Sequence, residues 1–92
     1  MNIMVTYLAQ ARPAAGTAQE TIVLHERACI TDLLGKLAEV HGLRLRQLLL
    51  TAEGQPHPSL LLFMDDCQVH DVGSRRLCDA DEVIVLPPMA GG

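Results

Sequence analysis

The chain has 92 residues, of which 49% are hydrophobic and 20% are charged, and its formal net charge at pH 7 is −4. This length and apolar content are typical of one domain with one core and exclude an intrinsically disordered chain. Tyr7 and Phe63 are the only aromatic residues and the seven basic residues are spread along the chain, so we expect no nucleic-acid partner, which would need a basic patch or an aromatic platform.

The first quarter of the chain predicts two β-strands. Apolar side chains alternate in residues 2–8 and again in residues 20–25, and a period of two with β-branched residues is typical of a strand. Residues 10–19 contain Pro13 and Gly16 and predict a turn region. We therefore expect the two strands to form a hairpin.

The hydrophobic period then changes and predicts a helix. Thr31 is the expected N-cap, and Asp32 would place a negative charge in the first turn. Gly42 is expected to end this helix, and residues 43–50 predict a second, shorter helix. The predicted apolar face of the main helix consists of Ile30, Leu33, Leu34, Leu37 and Val40.

Short strands and a loop follow the helices. Residues 51–59 are rich in glycine and proline and predict a loop. Residues 60–64 are an apolar run of strand length. After a turn at Asp65 and Asp66, residues 68–70 are expected to run back as a short strand.

The last predicted strand is Glu82–Leu86, which ends at Pro87 because proline cannot donate a hydrogen bond to a strand ladder. A hairpin, a helix and further strands in one small chain predict an α+β fold, with one main helix packed across one face of a single sheet. The first and last strands are the most apolar and should lie side by side in its middle. We expect the domain to span residues 1–86 and a tail to occupy residues 87–92.

The tail has no hydrophobic period and follows a strand, so we expect it to project from the domain. Pro87 and Pro88 favour extended backbone, and six extended residues reach roughly 20 Å. Gly91 and Gly92 lack side chains and could enter a narrow active site. The terminal carboxylate would become an acyl donor once adenylated, and attack by sulfur would then give a thiocarboxylate. The alternative is an ordinary frayed chain end.

Three segments carry a family pattern. Residues 7–12 read Tyr-Leu-Ala-Gln-Ala-Arg, residues 77–83 read Leu-Cys-Asp-Ala-Asp-Glu-Val, and residues 87–92 read Pro-Pro-Met-Ala-Gly-Gly. In these segments the chain resembles the small subunit of molybdopterin synthase, within the ubiquitin-like sulfur carriers that include the thiamine-pathway carrier. The resemblance implies a β-grasp fold with a mixed sheet and places the reacting carboxyl group on Gly92. The family usually has glycine where this chain has Ala80.

The resemblance also implies a set of partners. A ubiquitin-activating-type enzyme would use ATP and Mg²⁺ to adenylate Gly92, and a sulfurtransferase or cysteine desulfurase would supply sulfur. The large subunit of molybdopterin synthase would receive that sulfur on cyclic pyranopterin monophosphate. The chain would be a non-catalytic donor subunit without a bound cofactor. Alternatives are a carrier for cysteine, thiamine or another metabolite, a ubiquitin-like protein modifier, and an interaction module with an inert tail.

Partner binding is expected on and beside the last strand. Leu8 and Ile84 should form, with Leu86, an apolar docking patch on the sheet face away from the helix, although partly exposed leucines are also common on any surface. Asp79, Asp81 and Glu82 could steer a basic surface of the activating enzyme or could be solvated turn residues. The predicted partner-binding residues are Leu8, Ile84, Leu86, Pro87, Pro88, Met89, Ala90, Asp79, Asp81 and Glu82.

The cysteines and histidines do not follow the spacing of a disulfide framework or a metal site. Cys29, Cys67 and Cys78 are odd in number and lack a Cys-x-x-Cys pair, which favours a reducing, cytoplasmic location, and we expect them to be small buried side chains. The four histidines have no i, i+4 pair, so no metal site is expected. We also expect no secretory signal and no membrane partner.

Overall fold

The computed structural model describes residues 1–88, so the predictions for Met89, Ala90, Gly91 and Gly92 concern positions outside the described residues. The helices and strands, in chain order, are β1 (Asn2–Tyr7), α1 (Ala11–Ala15), β2 (Gln19–Val23), α2 (Ile30–His41), α3 (Leu43–Leu49), β3 (Leu61–Met64), β4 (Cys67–Gln68) and β5 (Glu82–Leu86).

The strands form one five-stranded sheet in the order β2-β1-β5-β3-β4. The first and last strands, β1 and β5, lie side by side and run parallel, with Thr6 opposite Ile84. The other neighbouring strands are antiparallel. This arrangement confirms the predicted hairpin, the central strand pair and the α+β class with a mixed sheet.

The core lies between one face of this sheet and the helices. Alternation places Val5 and Tyr7 of β1 together with Val83 and Val85 of β5 in the interior, where all four are fully buried. Burial of each such side chain contributes about 1.5–3 kcal/mol, so an aliphatic core of this size needs no further aromatic residue. Helix α2 adds the fully buried side chains of Ile30, Leu33, Leu34 and Leu37.

The predicted turn region at residues 10–19 contains a short helix, α1, which is a correction to the sequence prediction. Ala11 and Ala15 are buried on its inner side. Gly16 ends the helix at φ +77° and donates its N–H to the Arg12 carbonyl oxygen at 2.9 Å. A helix of five residues is too short to produce a readable hydrophobic period, so the sequence shows only its alanines and its stop.

The start of α2 and one residue of its predicted apolar face differ from the prediction. The N-cap is Cys29 in extended backbone, not Thr31, and the Cys29 N–H donates to Asp32 Oδ2 at 2.9 Å. The predicted carboxylate in the first turn is therefore confirmed, and it accepts a hydrogen bond there. Val40 is 51% exposed rather than buried, because His41 occupies the position of the last turn that faces the sheet.

The end of α2 and the second helix agree with the sequence. Gly42 adopts φ +90° and donates its N–H to the Ala38 carbonyl oxygen at 2.9 Å. Such a positive φ favours glycine, as the predicted stop requires. Helix α3 follows at once, with Leu45 and Leu49 fully buried.

The β3–β4 hairpin has the predicted two-residue turn. Asp65 and Asp66 have φ values of +52° and +63°, which suit the tight turns that join adjacent antiparallel strands. This turn sets Met64 opposite Cys67, so β4 covers Cys67–Gln68 rather than residues 68–70.

The expectation that the cysteines are buried was wrong. Cys67 and Cys78 are exposed and Cys29 is partly exposed, and all three are free thiols. They occupy a strand edge, a turn and a helix N-cap, positions set by backbone geometry rather than by hydrophobicity.

Candidate functional site at the end of the last strand

The tail begins at the centre of the sheet. Because β1 and β5 are parallel, their carboxyl ends lie at the same end of the sheet, and the Leu8 N–H donates to the Val85 carbonyl oxygen at 2.9 Å. Pro87 is buried and Pro88 is half-buried. The packed part of the chain therefore continues past Leu86, and we refer to Pro87 and Pro88 as the tail base.

The sheet face opposite the helices carries a half-buried apolar surface next to the tail base. Alternation along β5 turns Ile84 and Leu86 to this face, and the register sets Phe63 opposite Ile84 and Leu61 opposite Leu86. We define the open-face patch as Met4, Leu8, Leu61, Phe63, Ile84 and Leu86, all of intermediate exposure.

The structure thus brings Leu8, Ile84 and Leu86 together on the predicted face. Sequence reasoning missed Leu61 and Phe63, because residues 60–64 are apolar at every position and do not show which side chains face the core. It also missed Met4, although the alternation of β1 places Met4 on the face opposite Val5. Partner binding by this patch stays a prediction.

The predicted acidic residues lie at the other end of β5. Asp79 Oδ1 accepts the Asn2 N–H at 2.7 Å, and Asp81 Oδ2 accepts the Cys78 N–H at 2.7 Å. Glu82, the first residue of β5, is exposed. A five-residue strand rises roughly 17 Å, so this acidic turn is separated from the tail base by the length of the strand. Two of the three carboxylates stabilise the turn, and their role in steering a partner stays a prediction.

Ala80, in the same turn, has φ +71°. Its N–H donates to the Asn2 carbonyl oxygen at 2.8 Å, which ties the turn to the start of β1. A left-handed backbone costs a residue with a Cβ atom about 1 kcal/mol relative to glycine. The family that this chain resembles usually has glycine at this position, and the fold requires a positive φ here.

A polar cluster on the core side of the sheet was not predicted from the sequence. The Tyr7 hydroxyl donates to Glu20 Oε2, and His41 Nε2 lies within hydrogen-bond distance of the same oxygen. Burial raises the pKa of Tyr7 above its ordinary value, and the hydrogen bond to Glu20 and its negative charge raise it further. The cluster joins β1, β2 and α2, and no sequence spacing indicates a contact among three residues so far apart in the chain.

A surface cavity of about 570 Å³ lies between α3 and the loop that precedes β3. Its lining includes Leu43, Arg46, Leu50, His57 and Pro58. Because Leu61 lies opposite Leu86, this loop approaches the same end of the sheet as the tail base.

Two further findings concern the described part of the chain. Within residues 1–88, no three His, Cys, Asp or Glu side chains are placed to hold a metal ion together. Among the helices of the same residues, none has the length and apolar character needed to cross a membrane.

Known proteins share both the sequence pattern and the fold. Residues 5–92 match the model of the ThiS family. A molybdopterin synthase sulfur carrier subunit of Chlamydomonas reinhardtii is 29% identical, and the match covers 100% of both chains. These matches confirm the resemblance that both ends of the sequence indicate.

Two solved structures extend the comparison. A Pyrococcus furiosus protein described as molybdopterin converting factor, subunit 1, is 25% identical, with a TM-score of 0.76 over 97% of this chain and 99% of its own. SAMP1 of Haloferax volcanii, a small archaeal modifier protein, is 18% identical, with a TM-score of 0.85 over 100% of both chains. The second likeness concerns the fold alone, and together they confirm the ubiquitin-like β-grasp architecture.

Proposed function

The chain belongs to the ThiS family of ubiquitin-like sulfur carriers, and on this premise we propose that it is the sulfur-donating small subunit of a molybdopterin synthase. The observation that carries the proposal is the end-to-end match with a molybdopterin synthase sulfur carrier subunit. The acceptor would be cyclic pyranopterin monophosphate, bound by the large subunit. The carrier would act in the cytoplasm.

The chemistry would take place on the terminal carboxylate of Gly92. A carboxylate oxygen attacks the α-phosphorus of ATP on the activating enzyme, and pyrophosphate leaves. The terminal sulfur of a persulfide on a sulfurtransferase or cysteine desulfurase then attacks the acyl carbon, and AMP leaves to give an acyl disulfide. A thiol next attacks the enzyme-side sulfur of this disulfide, which releases the thiocarboxylate and leaves a disulfide on the enzyme. The resulting thiocarboxylate is the nucleophile that the large subunit directs at its substrate.

The described residues would position this terminus rather than catalyse a step. The tail base directly follows the middle strand β5, and its first residue, Pro87, is buried, so the chain beyond it starts from a defined point. The open-face patch lies beside that point and offers an apolar surface to a partner. Docking of the patch would bring the terminus to the partner's active site in a reproducible orientation.

The proposal is tested by activating the chain with a cognate adenylating enzyme, ATP, Mg²⁺ and a sulfur source, followed by intact-mass analysis. We expect a mass increase that corresponds to the exchange of one oxygen atom for sulfur, and sulfur transfer when the large subunit is added. A chain that lacks Gly91 and Gly92 is the control, and it should show neither. Full transfer activity of the shortened chain would contradict the proposal.

A protein modifier is the second candidate, because SAMP1 shares the fold over the full length of this chain. A modifier uses the same adenylation but ends in an isopeptide bond to lysine, with loss of AMP. The two candidates differ in their products. Lysine-linked conjugates in place of the thiocarboxylate would favour the modifier.

A further inference from the structure

The edge strand β2 presents backbone N–H and C=O groups on its outer side in a regular row. The Tyr7 N–H donates to the Ala18 carbonyl oxygen and the Leu24 N–H donates to that of Met1, both at 2.9 Å. Antiparallel ladders alternate, so the even-numbered residues of β2 bond to β1. The residues whose N–H and C=O groups point away from the sheet are Gln19, Thr21 and Val23.

These outward groups are accessible. In the part of the chain that the structure describes, no hydrogen bond engages the N–H or C=O of Thr21 or Val23. The N–H and C=O of Gln19 both bond to the nearby Thr17 hydroxyl. All three side chains of the row are exposed, with Val23 at 68%. Thr21 and Val23 are therefore free to pair with another strand, and Gln19 would exchange its local Thr17 contacts for such pairing.

The edge also lacks the features that usually prevent such pairing. Proteins commonly protect edge strands with lysine, proline, bulges or charged side chains. The sequence of β2 is Gln-Glu-Thr-Ile-Val, and its one charged residue, Glu20, binds Tyr7 and His41 on the core side. The outward row thus carries no charge of its own.

The residue types of β2 match a second copy of the same strand. In an antiparallel pair centred on Thr21, each Gln19 lies opposite Val23 of the second copy, and the two Thr21 residues face each other. The outward N–H and C=O groups of Thr21 and Val23 then gain partners, and those of Gln19 exchange the Thr17 hydroxyl for Val23 of the second copy. Glu20 falls opposite Ile22 of the second copy, so the pairing opposes no like charges.

We propose that two copies of this chain associate through β2, with a two-fold axis at Thr21, and join their two sheets into one continuous sheet. This association is independent of the sulfur-carrier proposal. Because β5 lies two strands inside the edge, pairing leaves the open-face patch and the tail base uncovered. One strand pair buries less than the ~800 Å² per partner of a standard interface, so the association is weak and reversible.

The test is sedimentation velocity of the full chain from about 10 μM to 1 mM, a range suited to an interface of this small size. The wild-type chain should shift from monomer toward dimer across the range. Thr21→Pro removes an outward N–H that β1 does not use, so it should fold normally and remain monomeric. Circular dichroism checks the fold, and Val23→Lys, which leaves the backbone unchanged, should also remain monomeric.

Gln68→Pro is the matched control on the opposite edge. The Val69 N–H donates to the Leu62 carbonyl oxygen, so the Gln68 N–H points outward from β4 as the Thr21 N–H does from β2. This variant should associate as the wild type does. A wild-type chain that stays monomeric up to 1 mM, or dimerisation that survives both Thr21→Pro and Val23→Lys, would overturn the proposal.

Discussion

The rings of Tyr7 and His41 meet edge to face, with centroids 5.9 Å apart and planes at 85°. Both side chains also contact the same carboxylate oxygen of Glu20. The contact links the central strand β1, the edge strand β2 and the last residue of α2. It fixes the end of the main helix on the sheet by polar groups, whereas the rest of that interface is aliphatic.

Tyr7→Phe should lower the free energy of unfolding by about 2 kcal/mol at pH 7, because a buried hydrogen bond to a carboxylate is lost while the ring remains. Urea denaturation measures the change. A double-mutant cycle with Glu20→Gln separates the hydrogen bond from other effects of the substitution. Strictly additive losses would show that the two side chains do not interact.

The same pair predicts an alkaline effect. The pKa of Tyr7 is higher in the folded state than its ordinary value of about 10, because burial and Glu20 disfavour the phenolate. Its contribution to stability is therefore complete below pH 10 and is lost as pH rises through the folded-state pKa. The advantage of the wild type over Tyr7→Phe should shrink above pH 10. Tyrosinate absorbance measures the ionisation of Tyr7 directly, since Tyr7 is the only tyrosine.

Ala80→Gly should raise the free energy of unfolding by about 1 kcal/mol, because glycine adopts the observed φ of +71° without the Cβ penalty. Thermal or urea unfolding measures the gain. Ala52→Gly is the matched control, since Ala52 is exposed in a turn and is not among the positive-φ residues. The control should be neutral or slightly destabilising, and an equal gain in both variants would refute the backbone explanation.

Asp32→Asn should destabilise the chain by about 0.5–1 kcal/mol at pH 7, because the start of α2 loses a charged acceptor. The hydrogen bond from the Cys29 N–H lowers the pKa of Asp32. Its contribution is therefore present above the unfolded-state pKa of about 3.9 and is lost as pH falls through the folded-state value. The difference between variant and wild type should close below pH 4, while Glu53→Gln, in an exposed loop, should show no such difference.

Leu86→Asp should weaken binding to the large synthase subunit by about 2 kcal/mol or more, because it places a charge in the open-face patch beside the tail base. Calorimetry with the purified large subunit measures the loss. Leu43→Asp is the control, since Leu43 is 68% exposed on α3 and lies outside the patch. Equal affinity of Leu86→Asp and wild type would remove the patch from the docking surface.

The sequence predicted features that repeat with a short period. Alternation placed Leu8 on the sheet face away from the helices, and the spacing of Leu33, Leu34 and Leu37 located the buried face of α2. The side-by-side position of β1 and β5 was predicted from their apolar composition, but their parallel direction was not.

Features that depend on single contacts were not predictable in this way. The N-cap moved from Thr31 to Cys29 because one hydrogen bond, from the Cys29 N–H to Asp32, decides where α2 begins. The same holds for the site, where Ile84 was found by alternation and Phe63 joined it only through the register of β3 and β5. A short hydrophobic period shows which side chains share one face of a helix or strand. The register between strands and the partners of single side chains become visible only in the folded structure.

The burial of Pro87 limits how far from the sheet Gly92 can lie. Four residues follow Pro88, and a fully extended segment of that length spans at most roughly 14 Å. Any enzyme that modifies Gly92 must therefore hold its reactive centre within that radius of the sheet, close enough for its own surface to touch the domain. An enzyme that acts on Gly92, as proposed, would therefore have to bind the surface of the domain at the same time.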